Sequence, residues 1–359
     1  MTSTAGTTAT EAAAMRRALA LAATPGVPMV ADTRRVGCVL LDDAGRTIAE
    51  GFHAGPGTPH AEAAALAAAA DSAAGTTAVV TLEPCDHTGR TGPCTQALIA
   101  AGVRRVVFAE PDANPTAAGG QARLEAAGIE VVSGLLADEA AALKRVYDVA
   151  RAEQRPFVTW KLAATLDGRS AAADGTSRWV SGTAARRDTH RLRALCDTML
   201  VGTGTVLVDD PLLTVRDAED RPLAVQPLRA VMGRRDLPAD RRVLNSDAQT
   251  VLLRTRDPRE ALAQLWARGR QHVFLEGGPT LAAAFVRAGL VDEIVCYVAP
   301  FFLGAGLSSV ADLGIGTLAE AFRPRVADVV VLEPVVEGEE PNVRFILTPQ
   351  HPADHQERE

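Results

Sequence analysis

The sequence predicts a two-domain α/β protein whose first domain is a three-layer α/β/α sandwich. Three observations predict it. The chain has 359 residues, too many for one typical core. Between residues 36 and 132, short apolar runs alternate with alanine-rich helical stretches in a β-α-β-α-β order. From residue 155, after an amphipathic helix, a second series of short apolar runs begins.

Taken in order, residues 1–10 are small and polar and read as disordered. Residues 11–23 place Met15, Leu19 and Leu21 on one helical face. Residues 36–41 form a buried strand, Asp42 to Gly45 a turn, and residues 47–51 its hairpin partner. Residues 60–73 are alanine-rich and helical. Residues 77–82 are β-branched and apolar, a central strand. Cys94 opens a helix over 95–101; strand 103–109, helix 119–128 and strand 129–132 complete the first domain, set at 11–150. Residues 136–153 are the connecting helix. The second domain, 155–348, starts with strand 155–161 and a turn at Asp167-Gly168 into 169–171. Helix 184–195 follows, with further strands at 198–202, 228–232, 250–253, 273–276, 293–298 and 329–332. Residues 351–359 read as a frayed end.

Composition excludes several classes. A net charge of −7 argues against general affinity for nucleic acid, which requires a basic face. No apolar run approaches a membrane span, and the Thr/Ala-rich start has no signal-peptide core. Five scattered cysteines, Cys38, Cys85, Cys94, Cys196 and Cys296, read as cytoplasmic thiols rather than a disulfide framework. The sequence leaves a homo-oligomer open.

The chemistry concentrates in Pro59-His60-Ala61-Glu62, then Thr81-Leu82-Glu83-Pro84-Cys85 and Gly92-Pro93-Cys94. One imidazole (His60) and two thiolates (Cys85 and Cys94) can hold zinc and leave a fourth position for water. Thiolates select zinc over magnesium or calcium. His60 and Glu62 fall in the first turn of a helix, whose dipole favours an anionic carboxylate and a developing hydroxide. H-x-E followed by P-C…C is similar to the zinc deaminase signature, in which the Glu shuttles protons and is not a ligand. Eight residues separate the cysteines here, where the usual form has two. His87, inside that insert, reads as lining the pocket or filling the insert rather than as a fourth ligand. Cys38 reads as core.

In the second half, Glu276-Gly277-Gly278-Pro279-Thr280 follows an apolar strand and precedes a helix over 281–288. Glycines there can bring backbone N–H groups to a phosphate at a helix N-terminus; a tight turn with no ligand is the other reading. Gly202-Thr203-Gly204-Thr205 is equally open. No G-x-G-x-x-G fingerprint occurs, so the domain is not of the Rossmann type.

These motifs, together with Val36-Gly37-Cys38, Asp112-Ala113-Asn114-Pro115, the run 161–168, Ser177-Arg178-Trp179, the run 186–193 and Asp209-Asp210-Pro211, resemble the bifunctional riboflavin-biosynthesis deaminase–reductases over residues 11–347. The resemblance implies a cytidine-deaminase-like first domain with zinc and a dihydrofolate-reductase-like second domain with NADPH. It implies hydrolytic deamination of a pyrimidine ribosyl phosphate, then reduction of its ribosyl to a ribityl chain. It assigns Ala163, Trp179, Thr205, Asp209 and the loop Gly278, Pro279, Thr280, Leu281, Ala282, Ala283 and Ala284 to NADPH. It assigns Ser177, Arg193, Leu213, Arg216 and Glu276 to substrate. Arg193 and Arg216 suit a phosphate dianion, and Trp179 can stack on a flat ring or serve the core.

Two departures stand out. The family usually has Pro-Asn-Pro before the Val-Gly pair, where this chain has Asp32-Thr33-Arg34, and often has Asn where this chain has Ala64. Thr33 and Ala64 cannot offer the paired amide donors and acceptors of asparagine. Arg34 and Arg35 read either as phosphate contacts or as solvated surface. A paralogue with a drifted deaminase pocket is therefore a second reading. A nucleic-acid deaminase conflicts with the acidic charge, and a structural zinc module conflicts with the open site and Glu62.

Overall fold

The computed structural model describes residues 7–24, 27, 34–87, 92–112, 119–177, 180–217 and 220–350. The chain divides into two compact units, Met1–Asp148 and Val149–Glu359.

In the first unit the strands β1 (Gly37–Leu41), β2 (Thr47–Phe52), β3 (Thr77–Leu82), β4 (Arg105–Glu110) and β5 (Glu130–Ser133) form one sheet in the order β2-β1-β3-β4-β5. β1 runs antiparallel to both neighbours, while β3, β4 and β5 are parallel. Parallel strands must be covered on both faces, and they are. Helix α1 (Ala9–Ala22) packs Met15 and Ala18 with Val39, Val79 and Val107 on one face. Helices α2 (Ala61–Ala69), α3 (Cys94–Ala100) and α4 (Gly120–Ala126) cover Cys38, Leu40, Val80 and Phe108 on the other. This is the three-layer sandwich that the alternation predicts.

The disorder expected for residues 1–10 does not extend to its end. Thr8 and Glu11 form a reciprocal capping box, so α1 starts at Ala9. Buried Glu11 also pairs with Arg105 at 2.8 Å, fixing the helix to β4.

Small residues let the layers approach closely. A Cβ on Gly51 of β2 would lie 2.4 Å from both Ala61 O and Ala65 N. The start of α2, which carries Glu62, therefore sits directly on the sheet backbone. Any side chain at Gly51 would push it outward.

The second unit begins within α5 (Ala137–Glu153). Its strands are β6 (Phe157–Thr165), β7 (Arg169–Ala171), β8 (Thr198–Gly202), β9 (Leu228–Met232), β10 (Thr250–Leu253), β11 (His272–Leu275), β12 (Glu293–Ala299), β13 (Leu307–Ser308), β14 (Arg325–Leu332) and β15 (Asn342–Thr348). An eight-stranded sheet has the order β10-β9-β8-β11-β6-β12-β15-β14. It is parallel from β10 to β12 and antiparallel through β15 and β14. β7 and β13 pair separately. Helices α6 (Thr183–Arg193), α7 (Thr203–Asp209), α8 (Pro258–Trp266) and α9 (Pro279–Arg287) complete it. The core centres on Val158, Trp160, Leu200, Val273, Leu275 and Phe285.

Candidate active sites

The first site forms beyond the carboxyl end of β3, where ligands gather in open α/β sheets. His60 is the extended N-cap residue of α2, and Cys94 opens α3. Cys85 arrives on the segment leaving β3, and its carbonyl accepts the Thr95 N–H at 3.2 Å. His60 Nδ1 stands 3.6 Å from Cys85 Sγ and 3.3 Å from Cys94 Sγ. The three ligand atoms lie within 4.8 Å of one another, the one such group among the described residues. Tetrahedral zinc, with bonds of ~2.3 Å to sulfur and ~2.0–2.1 Å to nitrogen, sets N and S ligands about 3.5 Å apart. The residues fit the ion.

The electrostatics agree. A hydrogen bond with Cys94 and the nearby His60 push the Cys85 thiol down to about 4, against its burial. The same bond and burial hold Cys94 protonated. Two thiols sharing one proton present a site that a dication completes. Glu62 is 4% exposed, and burial first, then the Cys85 thiolate, raises its carboxyl to about 7. Such a group can both take and return a proton near neutrality.

Other sequence candidates take definite places. Cys38 is fully buried core. His87 stays outside the ligand group, with Nδ1 lacking a partner among the described residues. Ala64 is half-buried on α2 and donates its N–H to His60 O. Thr33 lies outside the described residues. Arg34 and Arg35 are half-buried rather than solvated. Arg34 pairs with Asp112 at 2.5 Å, and Arg35 donates to Thr24 O at 2.9 Å.

One neighbour carries no motif signal. The His53 ring meets His60 edge-on at 5.4 Å, its Nδ1 3.1 Å from the Pro59 carbonyl. Burial lowers its pKa.

The second site gathers at the carboxyl ends of β8, β11 and β6. Arg193 Nε donates to Glu276 Oε1 at 3.1 Å, its Nη2 to Oε2, and its Nη1 to Thr214 O at 3.3 Å. Burial works to raise the Glu276 carboxyl, but Arg193 and Lys161 hold it below the usual range. Lys161, on the adjacent strand β6, is lowered by burial, which Glu276 partly offsets. Half-buried His190, one turn before Arg193, is lowered to about 4 by burial and by Arg193. Its Nδ1 has no partner among the described residues. Arg216 Nη1 lies 3.2 Å from both Asp220 O and Asp220 Oδ2. Leu213 is buried with φ 53°, in the left-handed region. Ser177 is exposed, and Trp179 lies outside the described residues. Lys161 and His190 went unassigned in the sequence; a cation within the apolar run of β6 was the available signal.

The two glycine turns prove to be neighbours. Gly202 precedes α7 and Gly278 caps α9, which has Pro279 at its start. Their strands β8 and β11 are adjacent, and a Cβ on Gly202 would touch Leu281 at 3.7 Å. A Cβ on Gly278 would meet nothing within 4 Å, so its backbone faces open space. Arg235 stands beside these turns, with Nε 3.4 Å from Thr203 Oγ1. Paired helix starts, open backbone and a guanidinium fit an anionic dinucleotide. Thr205 is half-buried and Asp209 exposed on α7, and Ala163 is half-buried on β6.

A His/Cys/Cys group that fits zinc, with the buried Glu62 two residues from His60, matches the arrangement of a hydrolytic deaminase, and the second α/β unit offers turns that fit an anionic cofactor. Residues 8–110 match the cytidine and deoxycytidylate deaminase zinc-binding region, and residues 156–331 match the RibD C-terminal domain. The chain is 50% identical over 289 residues to riboflavin biosynthesis protein RibD of Mycobacterium tuberculosis (strain H37Rv), covering 80% of this chain and 85% of the relative. It is 40% identical over 320 residues to that of Escherichia coli K12, covering 80% and 87%. Acinetobacter baumannii RibD superposes with TM-score 0.80 at 36% identity, covering 95% and 99%. A Thermotoga maritima diaminohydroxyphosphoribosylaminopyrimidine deaminase/5-amino-6-(5-phosphoribosylamino)uracil reductase gives 0.82 at 30%, covering 95% and 99%. The chain belongs to the RibD family of bifunctional deaminase–reductases in riboflavin biosynthesis, with zinc in its first half and NADPH in its second. The drifted-paralogue and nucleic-acid readings are not favoured. No helix among the described residues is long and apolar enough to cross a membrane.

Proposed function

We propose that residues 11–150 deaminate 2,5-diamino-6-(5-phosphoribosylamino)pyrimidin-4-one and that residues 155–348 reduce the ribosyl group of the product. The convergence of His60 Nδ1, Cys85 Sγ and Cys94 Sγ beside buried Glu62 carries this reading. His60, Cys85 and Cys94 would hold the zinc, which when bound would supply Lewis-acid activation of water. Glu62 accepts the proton of the attacking water and delivers it to the departing amine, so that water enters and ammonia leaves. His53 packs against the His60 ring and fixes its orientation.

In the second half NADPH, when bound, would supply a hydride. Gly278 and the start of α9 through Ala284, with Ala163, Trp179, Thr205 and Asp209, position it, with Arg235 as an added cation. Ser177, Arg193, Leu213, Arg216 and Glu276 receive the phosphorylated sugar. Supplying the diaminopyrimidinone phosphate with and without NADPH tests both steps by product mass. An amino group is exchanged for a hydroxyl in either case, and hydrogen is added to the sugar only with NADPH. An unchanged substrate refutes the assignment.

The same reading extends to a homo-oligomer. The outermost strand β14 exposes Val326, Val329 and Val331. Antiparallel pairing with β14 of a second copy, centred on Val329, would set Arg325 opposite Glu333, both exposed. Val329→Lys should then sediment as a smaller species than the wild type; equal sedimentation removes this pairing.

A further inference from the structure

We infer that Glu83 is a positioning residue for the zinc centre, anchored from outside by Asp112 and Arg34. The inference rests on the ligand set proposed above. The loop that carries Cys85 leaves β3 at Leu82, and a zinc ligand must be held to a few tenths of an ångström. Glu83 N–H donates to Glu110 O at 2.8 Å, extending the β3–β4 ladder by one bond. Its carboxylate, in a residue only 7% exposed, then takes two backbone N–H groups from different segments. Oε2 accepts from Asp112 at 2.9 Å, just beyond β4, and Oε1 from Gln121 at 2.9 Å, in α4. One side chain thus joins the ligand loop to the end of a strand and the start of a helix.

The next residue is fixed as tightly. A Cβ on Gly120 would stand 1.9 Å from Pro84 O, so α4 presses its bare backbone on the peptide before Cys85. On the far side the Thr95 hydroxyl donates to Asp86 Oδ1 at 2.5 Å, tying the loop to the helix that carries Cys94. The brace continues outward. The Asp112 carboxylate, with its side chain 3% exposed, holds Arg34 Nη1 at 2.5 Å, and the guanidinium lies 4.9 Å from the centre of the Tyr147 ring. An ion pair and an aromatic contact here secure the segment entering β1 to the end of β4.

Glu83 is not among the converging ligand atoms, so its effect passes through the Cys85 backbone. A residue that merely stabilises the fold would weaken zinc-free and zinc-loaded protein equally. A positioning residue changes their difference, which is the zinc affinity. The test is Glu83→Gln in the full chain, which keeps the shape but turns an amide NH₂ towards a backbone donor. Zinc affinity is measured by chelator competition, and ligand geometry by the visible spectrum of the cobalt-substituted protein. The zinc dissociation constant should rise by about 10–100-fold, the range for outer-shell partners of metal ligands, and the cobalt bands should shift. An affinity within about twofold of wild type, with unchanged bands, overturns the inference. If E83Q does not fold, Arg34→Ala carries the test: a several-fold weaker affinity supports the brace and an unchanged one refutes it. A wild type that binds no zinc refutes the ligand set itself, a separate outcome.

Discussion

Replacing Cys85 with serine removes zinc and deamination together and leaves NADPH-dependent reduction in place. The wild type should carry about one zinc per chain. Serine keeps the size of the side chain but offers a hydroxyl that stays protonated at neutral pH, so the cluster falls from three anchoring atoms to two. His60 and Cys94, at 3.3 Å, remain together but cannot retain the ion through purification. Deaminase turnover should fall by more than the roughly 10²–10⁴-fold that a general acid–base group supplies. Metal analysis and assay of the deaminated phosphate with NADPH check both halves. Full zinc retention would show that Cys85 is not a ligand. Loss of reductase activity would show that the two units do not stand independently.

Glu62→Gln should do the converse: keep the metal and lose the reaction. Glu62 is not among the converging ligand atoms, so zinc content should stay near one per chain. The amide cannot take a proton from water, and deamination should drop by roughly 10²–10⁴-fold. Near-normal turnover would mean that another group moves the proton, with His53 the first to examine. Stability gives a second readout. Burial raises the Glu62 carboxyl from 4.5 to about 7 in the folded state. Between those values the folded state binds more protons than the unfolded chain, so the group's contribution falls as pH rises through that window. Zinc-free E62Q should therefore melt higher than zinc-free wild type above pH 7, and the gap should close near pH 4.

Much of the first unit was legible because its signals are local. Alternating apolar runs mark the strands, and H-x-E followed by P-C…C marks His60, Cys85 and Cys94, which the fold brings together. The Thr8–Glu11 capping box was also written in the sequence, but the small polar composition around it pointed to disorder. Strand β15 was missed because Arg344 interrupts its apolar run. Only the fold shows why: Arg344 reaches Asp188 at 3.0 Å and Asp328 at 2.9 Å. The cluster of Lys161, His190, Arg193 and Glu276 comes from two separate elements, β6 and α6, and the turn after β11. Spacing along the chain holds no record of that meeting. Glu83 lies within a motif, yet its carboxylate partners, the backbone N–H groups of Asp112 and Gln121, are ones that only folding brings to it.

The five-stranded and eight-stranded sheets share no strand, and each has its own ladder of hydrogen bonds. In genetic terms, the coding sequence holds two separately damageable traits. A missense change in β3 disturbs one ladder and leaves every strand of the other with its neighbours. Alleles therefore sort by the half-reaction they abolish, and two differently damaged gene copies still encode between them one sound version of each half.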